Sequence, residues 1–179
     1  MHGSDARPRR RTAGCGIPIV TVLLRVLLIA VAWVAIHIGS GYIAHHVPFT
    51  WLQGDSMLFR TRRFEQEGRL YRRLFRVHRW KDLLPEAGAA FEGGFAKRSL
   101  SGADVAYLEQ FVAETRRAEL THWLPLLFSL TFFLWNPLEI ALWMPLYAIL
   151  SNIPFIMVQR SNRPRLQAAA TRRGQISRQ

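Results

Sequence analysis

The chain has 179 residues, half of them apolar and a fifth charged, which suits one domain and excludes a wholly disordered chain. Its net charge is +12 and is carried almost entirely by arginine, Lys81 and Lys97 being the only lysines. That charge points to anionic partners, and three apolar stretches near membrane-spanning length favour the phosphate-rich face of a membrane over nucleic acid. Cys15 is the only cysteine, so an intramolecular disulfide is excluded.

In chain order, residues 1–16 read as a disordered basic tail with Arg7, Arg9, Arg10 and Arg11. Ile17 to Ile38, "IPIVTVLLRVLLIAVAWVAIHI", is long enough to span a bilayer core of roughly 30 Å. It exceeds the apolar region of a cleaved signal and reads as an uncleaved anchor helix, with Arg25 close enough to its end to snorkel. The "GSG" at Gly39 to Gly41 is expected to break that helix. Tyr42 to Leu58, with His45, His46, Pro48 and Trp51, reads as interfacial or re-entrant. Phe64 to Lys81, "FEQEGRLYRRLFRVHRWK", predicts a basic amphipathic helix on an anionic surface. Pro85 to Lys97, containing Gly88, Gly93 and Gly94, reads as loop.

Ser101 followed by Asp104 has the spacing of a capping box, with Leu100 and Val105 around it as a hydrophobic staple. A helix is expected from about Gly102 to His122, running on into the second apolar run. Asn136 and Pro137 form a turn signal between Trp123–Trp135 and Leu138–Val158, and the second piece holds Pro145 and Pro154. The fold expected is an all-α integral membrane protein: an N-terminal anchor helix, basic amphipathic middle helices and a C-terminal kinked apolar helical hairpin. One membrane-embedded domain, 17–166, would lie between disordered basic tails at 1–16 and 167–179. If the hairpin crosses the cell membrane twice, the positive-inside rule places the basic middle segment and the C-terminal tail on the cytoplasmic side of a multi-pass protein. The N-terminal arginines would then lie outside, against the same rule, unless Tyr42–Leu58 returns the chain through the membrane.

Candidate chemistry begins at "ETRRAELTHW". At about 100° per residue, Leu108, Val112, Thr115, Glu119 and His122 fall on one stripe of a helix and Arg117 points away. A carboxylate and an imidazole on an inward stripe must pair with each other or share a polar partner. A carboxylate-oriented imidazole is what a general base for a hydroxyl requires. The plainer alternative is a helix end at the headgroups, with Glu119 paired to Arg116 or another arginine. A metal is not expected, because Glu-x-x-His sites in di-iron bundles need two copies and only one is present. The second constellation is Gln159, Arg160, Asn162, Arg163 and Arg165, with Pro164 expected to fix a turn. Its guanidinium forks suit phosphate, although a positive-inside stop signal has the same composition. His78, Trp80 and Lys81 in "VHRWK" are possible supporting groups.

"FEQEG" and "RVHRWK", "ETRRAELTHW" and "NIPFIMVQRSNRPRL", in this order, resemble the glycosyl-4,4'-diaponeurosporenoate acyltransferase family over about Phe64 to Leu166. The resemblance implies acyl transfer to a hydroxyl of a membrane-held glycolipid such as a glycosylated carotenoid. It names no catalytic residue. The residues then suggest roles: Glu119 orients His122 as base, and Arg160, Arg163 and Arg165 hold the phosphates of acyl-CoA or the acidic face of an acyl carrier protein. Asn152 or Asn162 would donate to the oxyanion. No other cofactor is expected, and membrane lipids, the acceptor and the acyl donor are the expected partners. With no Gly-x-Ser-x-Gly elbow, direct transfer is expected rather than an acyl-enzyme. A membrane accessory protein that binds anionic lipid without catalysis is the competing reading.

Overall fold

A computed structural model of the chain describes residues 19–54, 56–84 and 104–177. The expected N-terminal tail, the glycine-rich loop, and Ser101 with its Leu100 staple lie outside these residues. The described residues are helical, with no strand among them. The helices are α1 (Ile19–His46), α2 (Phe49–Gln53), α3 (Arg69–Arg73), α4 (Val77–Trp80), α5 (Val105–Phe128), α6 (Leu138–Ala141) and α7 (Trp143–Ile176), with short 3₁₀ turns at Arg63–Glu65, Lys81–Leu83 and Ser129–Leu134. The chain divides after Val34 into two compact units.

The first unit contains the N-terminal part of α1. Many of its apolar side chains, among them Ile19, Leu23, Val26 and Leu27, are exposed. α1 is long and apolar enough to cross a membrane, and so is the segment Leu138–Ile176.

The second unit runs from Ala35 onward. Here α1 does not break at Gly39–Gly41 but continues to His46. A glycine in a helix interior costs only about 1 kcal/mol, too little by itself to end a helix that the residues on both sides continue. Ser40 and Ala44, one turn apart, are fully buried, so small residues serve as a packing face. Pro48 ends the helix, because it disfavours helical backbone at Val47. Tyr42–Leu58 is consequently the end of α1, the short α2 and a turn.

The amphipathic helix expected over Phe64–Lys81 is also replaced, here by α3, α4 and flanking turns. Gln66, Glu67 and Gly68 have φ of 48°, 56° and 79°, and Arg76 has 49°, left-handed values that interrupt a right-handed helix. Tyr71 and Val77 are buried against Met157, with Trp80, Ile153 and Val158 beside them. Leu74, which helical spacing would have buried, is exposed. Gly68 serves two needs at once. Its φ is positive, and a Cβ there would stand 2.9 Å from the carbonyl oxygens of both Arg160 and Ser161.

Asp104 caps α5 by accepting from the Tyr107 amide at 2.7 Å, so the helix starts at Val105 rather than near Gly102 and runs through Pro125 to Phe128. After the Asn136–Pro137 turn, α7 packs antiparallel to α5. Leu108 and Val112 meet Leu166 and Ala170 at one end, and His122 meets Asn152 farther along. The expected apolar hairpin is the tip of this longer pair. Pro164 lies inside α7 instead of fixing a turn, and the helix continues to Ile176 where a disordered tail was expected. Proline removes one backbone donor, and packing against α5 on one side and α3 on the other holds the helical path.

Candidate active site

α5 presents Thr115, Glu119 and His122 toward α7, in the phase the sequence predicts. Thr115 and Glu119 are buried, with Glu119 at 0% exposure. A carboxylate so placed needs cationic partners, and it has two. Arg160 Nε donates to Glu119 Oε1 at 2.7 Å, and Arg163 Nη2 donates to Oε2. Trp123 Nε1, one turn farther along α5, adds a third donor to Oε1 at 3.0 Å.

The network extends through both arginines. Arg160 Nη1 reaches Glu65 Oε1 at 2.5 Å and its Nη2 reaches the Leu58 carbonyl at 2.6 Å. Glu65, 1% exposed, also accepts from the Tyr71 hydroxyl at 2.9 Å and from the Arg62 amide at 3.0 Å. Burial first, then the bond to Glu65 and its charge, push the Tyr71 phenol above its ordinary value. Arg163 Nε donates to Thr115 Oγ1 at 2.9 Å, its Nη1 to the Phe59 carbonyl at 2.9 Å and its Nη2 also to the Thr115 carbonyl at 3.2 Å. Its guanidinium lies 5.8 Å from the centre of the Phe59 ring.

Two neighbouring arginines of α5 act in the same way on helix ends. Arg116 Nη1 donates to the carbonyls of Leu52 and Gln53 at the end of α2, at 2.7 and 3.1 Å. Arg117 Nη1 donates to those of Ala44, His45 and Val47 at the end of α1, at 2.8, 2.5 and 3.2 Å. Guanidinium is suited to this because one fork can satisfy several carbonyls that have no intrahelical donor.

His122 is held separately. Its Nδ1 lies 3.0 Å from Asn152 Oδ1, and its ring stacks on Phe155 with centroids 4.3 Å apart and planes 14° apart. Asn152 Nδ2 donates to the Ala148 carbonyl and to Ser151 Oγ, both at 3.0 Å. Those two donations assign the amide orientation and turn Oδ1 toward the imidazole. Nδ1 therefore carries the proton in the neutral ring, and Nε2 is its basic nitrogen.

Several expected roles change. Glu119 does not orient His122, because two guanidiniums and an indole occupy its oxygens and Asn152 supplies the orientation. Arg160 and Arg163 do not face out as phosphate binders. Each is committed to carboxylates and carbonyls, and Arg163 is 1% exposed. Asn152 is not an oxyanion donor, since its amide hydrogens are spent within α7. Gln159 and Asn162 are half-buried and Arg165 is exposed. His78 is exposed, Trp80 donates to the Phe75 carbonyl at 2.9 Å, and Lys81 pairs with Asp82 at 2.6 Å; these bonds belong to the α4 region. The residues missed by sequence reasoning are Glu65, Tyr71, Ser151 and Phe155. Only Glu65, within "FEQEG", carried any signal. Among the described residues, no group of three or more His, Cys, Asp and Glu gathers to hold a metal ion.

This fold and site define a class: an all-helical protein with two helices long and apolar enough to cross a membrane, built around a buried guanidinium–carboxylate network beside an oriented imidazole. The chain belongs to the glycosyl-4,4'-diaponeurosporenoate acyltransferase family, whose model matches residues 55–172. Curated proteins of that name from Staphylococcus aureus strains MRSA252 and USA300 are each 28% identical to it over 134 residues, 75% of this chain and 81% of theirs. No solved structure matches.

Proposed function

We propose that this protein is a membrane O-acyltransferase that moves a fatty acyl group from a thioester, acyl-CoA or acyl carrier protein, to a sugar hydroxyl of a membrane-held glycolipid such as a glycosylated carotenoid. Family membership supports acyl transfer and its acceptor class. The observation that carries the chemistry is the Asn152–His122 pair. With its proton on Nδ1, His122 removes the hydroxyl proton through Nε2 as the oxygen attacks the thioester carbonyl. The carbon–sulfur bond then breaks, and the imidazolium returns the proton to the leaving thiolate. Glu119, Arg160 and Arg163 fix α5 against α7 and so keep His122 facing Asn152. They act as positioning residues.

The apolar tip formed by Ser129–Leu134, α6 and the start of α7 supports a place for the acyl chain. The basic segments around α3 and the end of α7 suit the cytoplasmic face of the cell membrane.

The test is lipid mass spectrometry of cells carrying the wild-type protein, His122→Ala, or neither. The reading expects an acylated glycolipid present only with the wild type, with the variant still in the membrane at normal abundance. An unchanged lipid profile with His122→Ala would overturn it and favour an accessory protein, which has no need of that imidazole.

A further inference from the structure

The arginines expected to bind phosphate are consumed inside the protein, yet another set remains at the surface. α3 is seated on α7 by Gly68, which lies against the carbonyls of Arg160 and Ser161. Arg72 Nη1 then donates to the Ser161 carbonyl at 3.2 Å. Arg165 stands one turn beyond Ser161 and so on the same face of α7. Arg69 stands nearly one turn before Arg72 on α3, its Nε donating to Gln66 of its own turn at 3.2 Å.

Beyond burial, the charges of Arg165 and then Arg69 hold the Arg72 guanidinium below its ordinary basicity, which marks like charges kept close. None of the three forms an ion pair among the described residues. Three guanidiniums held together repel one another unless an anion joins them, and phosphate offers the matching bidentate oxygens.

We propose that Arg69, Arg72 and Arg165 form a binding site for the phosphate group of a small anionic ligand. Two sources share that chemistry: the phosphates of a coenzyme A thioester and the headgroup of an anionic phospholipid. The first rests on the proposed acyl transfer. It is favoured by length, because Asn152 and Arg165 lie about 20 Å apart along α7 at the helical rise, a span of the order of an extended pantetheine arm.

Binding is measured with the full chain in an uncharged detergent, using coenzyme A as one probe, and in nanodiscs of phosphatidylcholine with and without phosphatidylglycerol as the other. Arg165→Gln, a surface change, should weaken binding by about tenfold or more, the loss expected of one charge-assisted contact. Arg173→Gln, exposed farther along the same helix, should change nothing measurable. Coenzyme A binding lost in Arg165→Gln supports the site as a donor site. Binding of phosphatidylglycerol alone, with the same loss, supports it as a headgroup site and counts against the donor assignment without touching the role of His122. Binding of neither probe, equal binding by Arg165→Gln, or an equal loss in Arg173→Gln would overturn the proposal.

Discussion

Glu119 receives three side-chain donors on two oxygens while wholly buried, and that decides what its substitution does. Glu119→Gln leaves Arg163 without its counter-charge and Arg160 with Glu65 alone, and breaking a buried pair by removing one partner costs about 3–5 kcal/mol. Thermal unfolding of the purified protein in detergent should therefore show a markedly lower midpoint for this variant. His122→Ala should leave the midpoint close to that of the wild type while transfer falls by about 10²–10⁴-fold, the range for loss of a general base. Asn152→Ala should lower turnover with the imidazole still present, and Asn152→Asp should restore much of it, since a carboxylate also accepts from Nδ1. A merely structural Asn152 would show no such rescue. Helical phase was enough to place Glu119 on the buried stripe. Its charged partners were not legible, because Arg160 and Arg163 lie far away in sequence and local periodicity carries no information about which distant group arrives.

At the scale of elements, the long helices were legible and the short ones were not. The apolar runs and the Asn136–Pro137 turn announce α1, α5 and α7, though α1 outlasts its glycines, the four-residue α6 precedes α7, and α7 runs through two prolines. In Phe64–Lys81 the helical spacing misled, because left-handed backbone at Gln66, Glu67 and Gly68 depends on α3 docking against α7. Gly68→Ala should accordingly loosen that docking at a cost of about 1–3 kcal/mol for the backbone strain alone, seen as faster hydrogen exchange over residues 62–84 with α5 unchanged. Tyr71 adds a pH dependence. Its folded value is raised above the ordinary 10.0, so the stability it contributes is complete below pH 10 and is lost as pH rises through the folded value. Tyr71→Phe should flatten that alkaline loss in an unfolding series while forfeiting the bond to Glu65.

For the whole molecule, two helices long and apolar enough to cross a membrane accompany a net charge of +12, so insertion and electrostatic adhesion make different predictions. Salt screens adhesion and leaves inserted apolar helices in place; the chain should stay with the membrane fraction through a high-salt wash, and its release would favour a surface-bound protein. The buried network also bears on composition. Only two of the 24 basic residues are lysines. At Arg116, Arg117, Arg160 and Arg163 a single head reaches carbonyls or carboxylates in several directions, a task an ammonium on a flexible stem performs poorly. In a genome whose codon usage drifts toward lysine, surface arginines outside the proposed site of Arg69, Arg72 and Arg165 are free to follow the drift and these four are held against it. Codon usage thus becomes a natural mutagenesis experiment, in which the arginines that persist in lysine-rich relatives mark the interior of the fold.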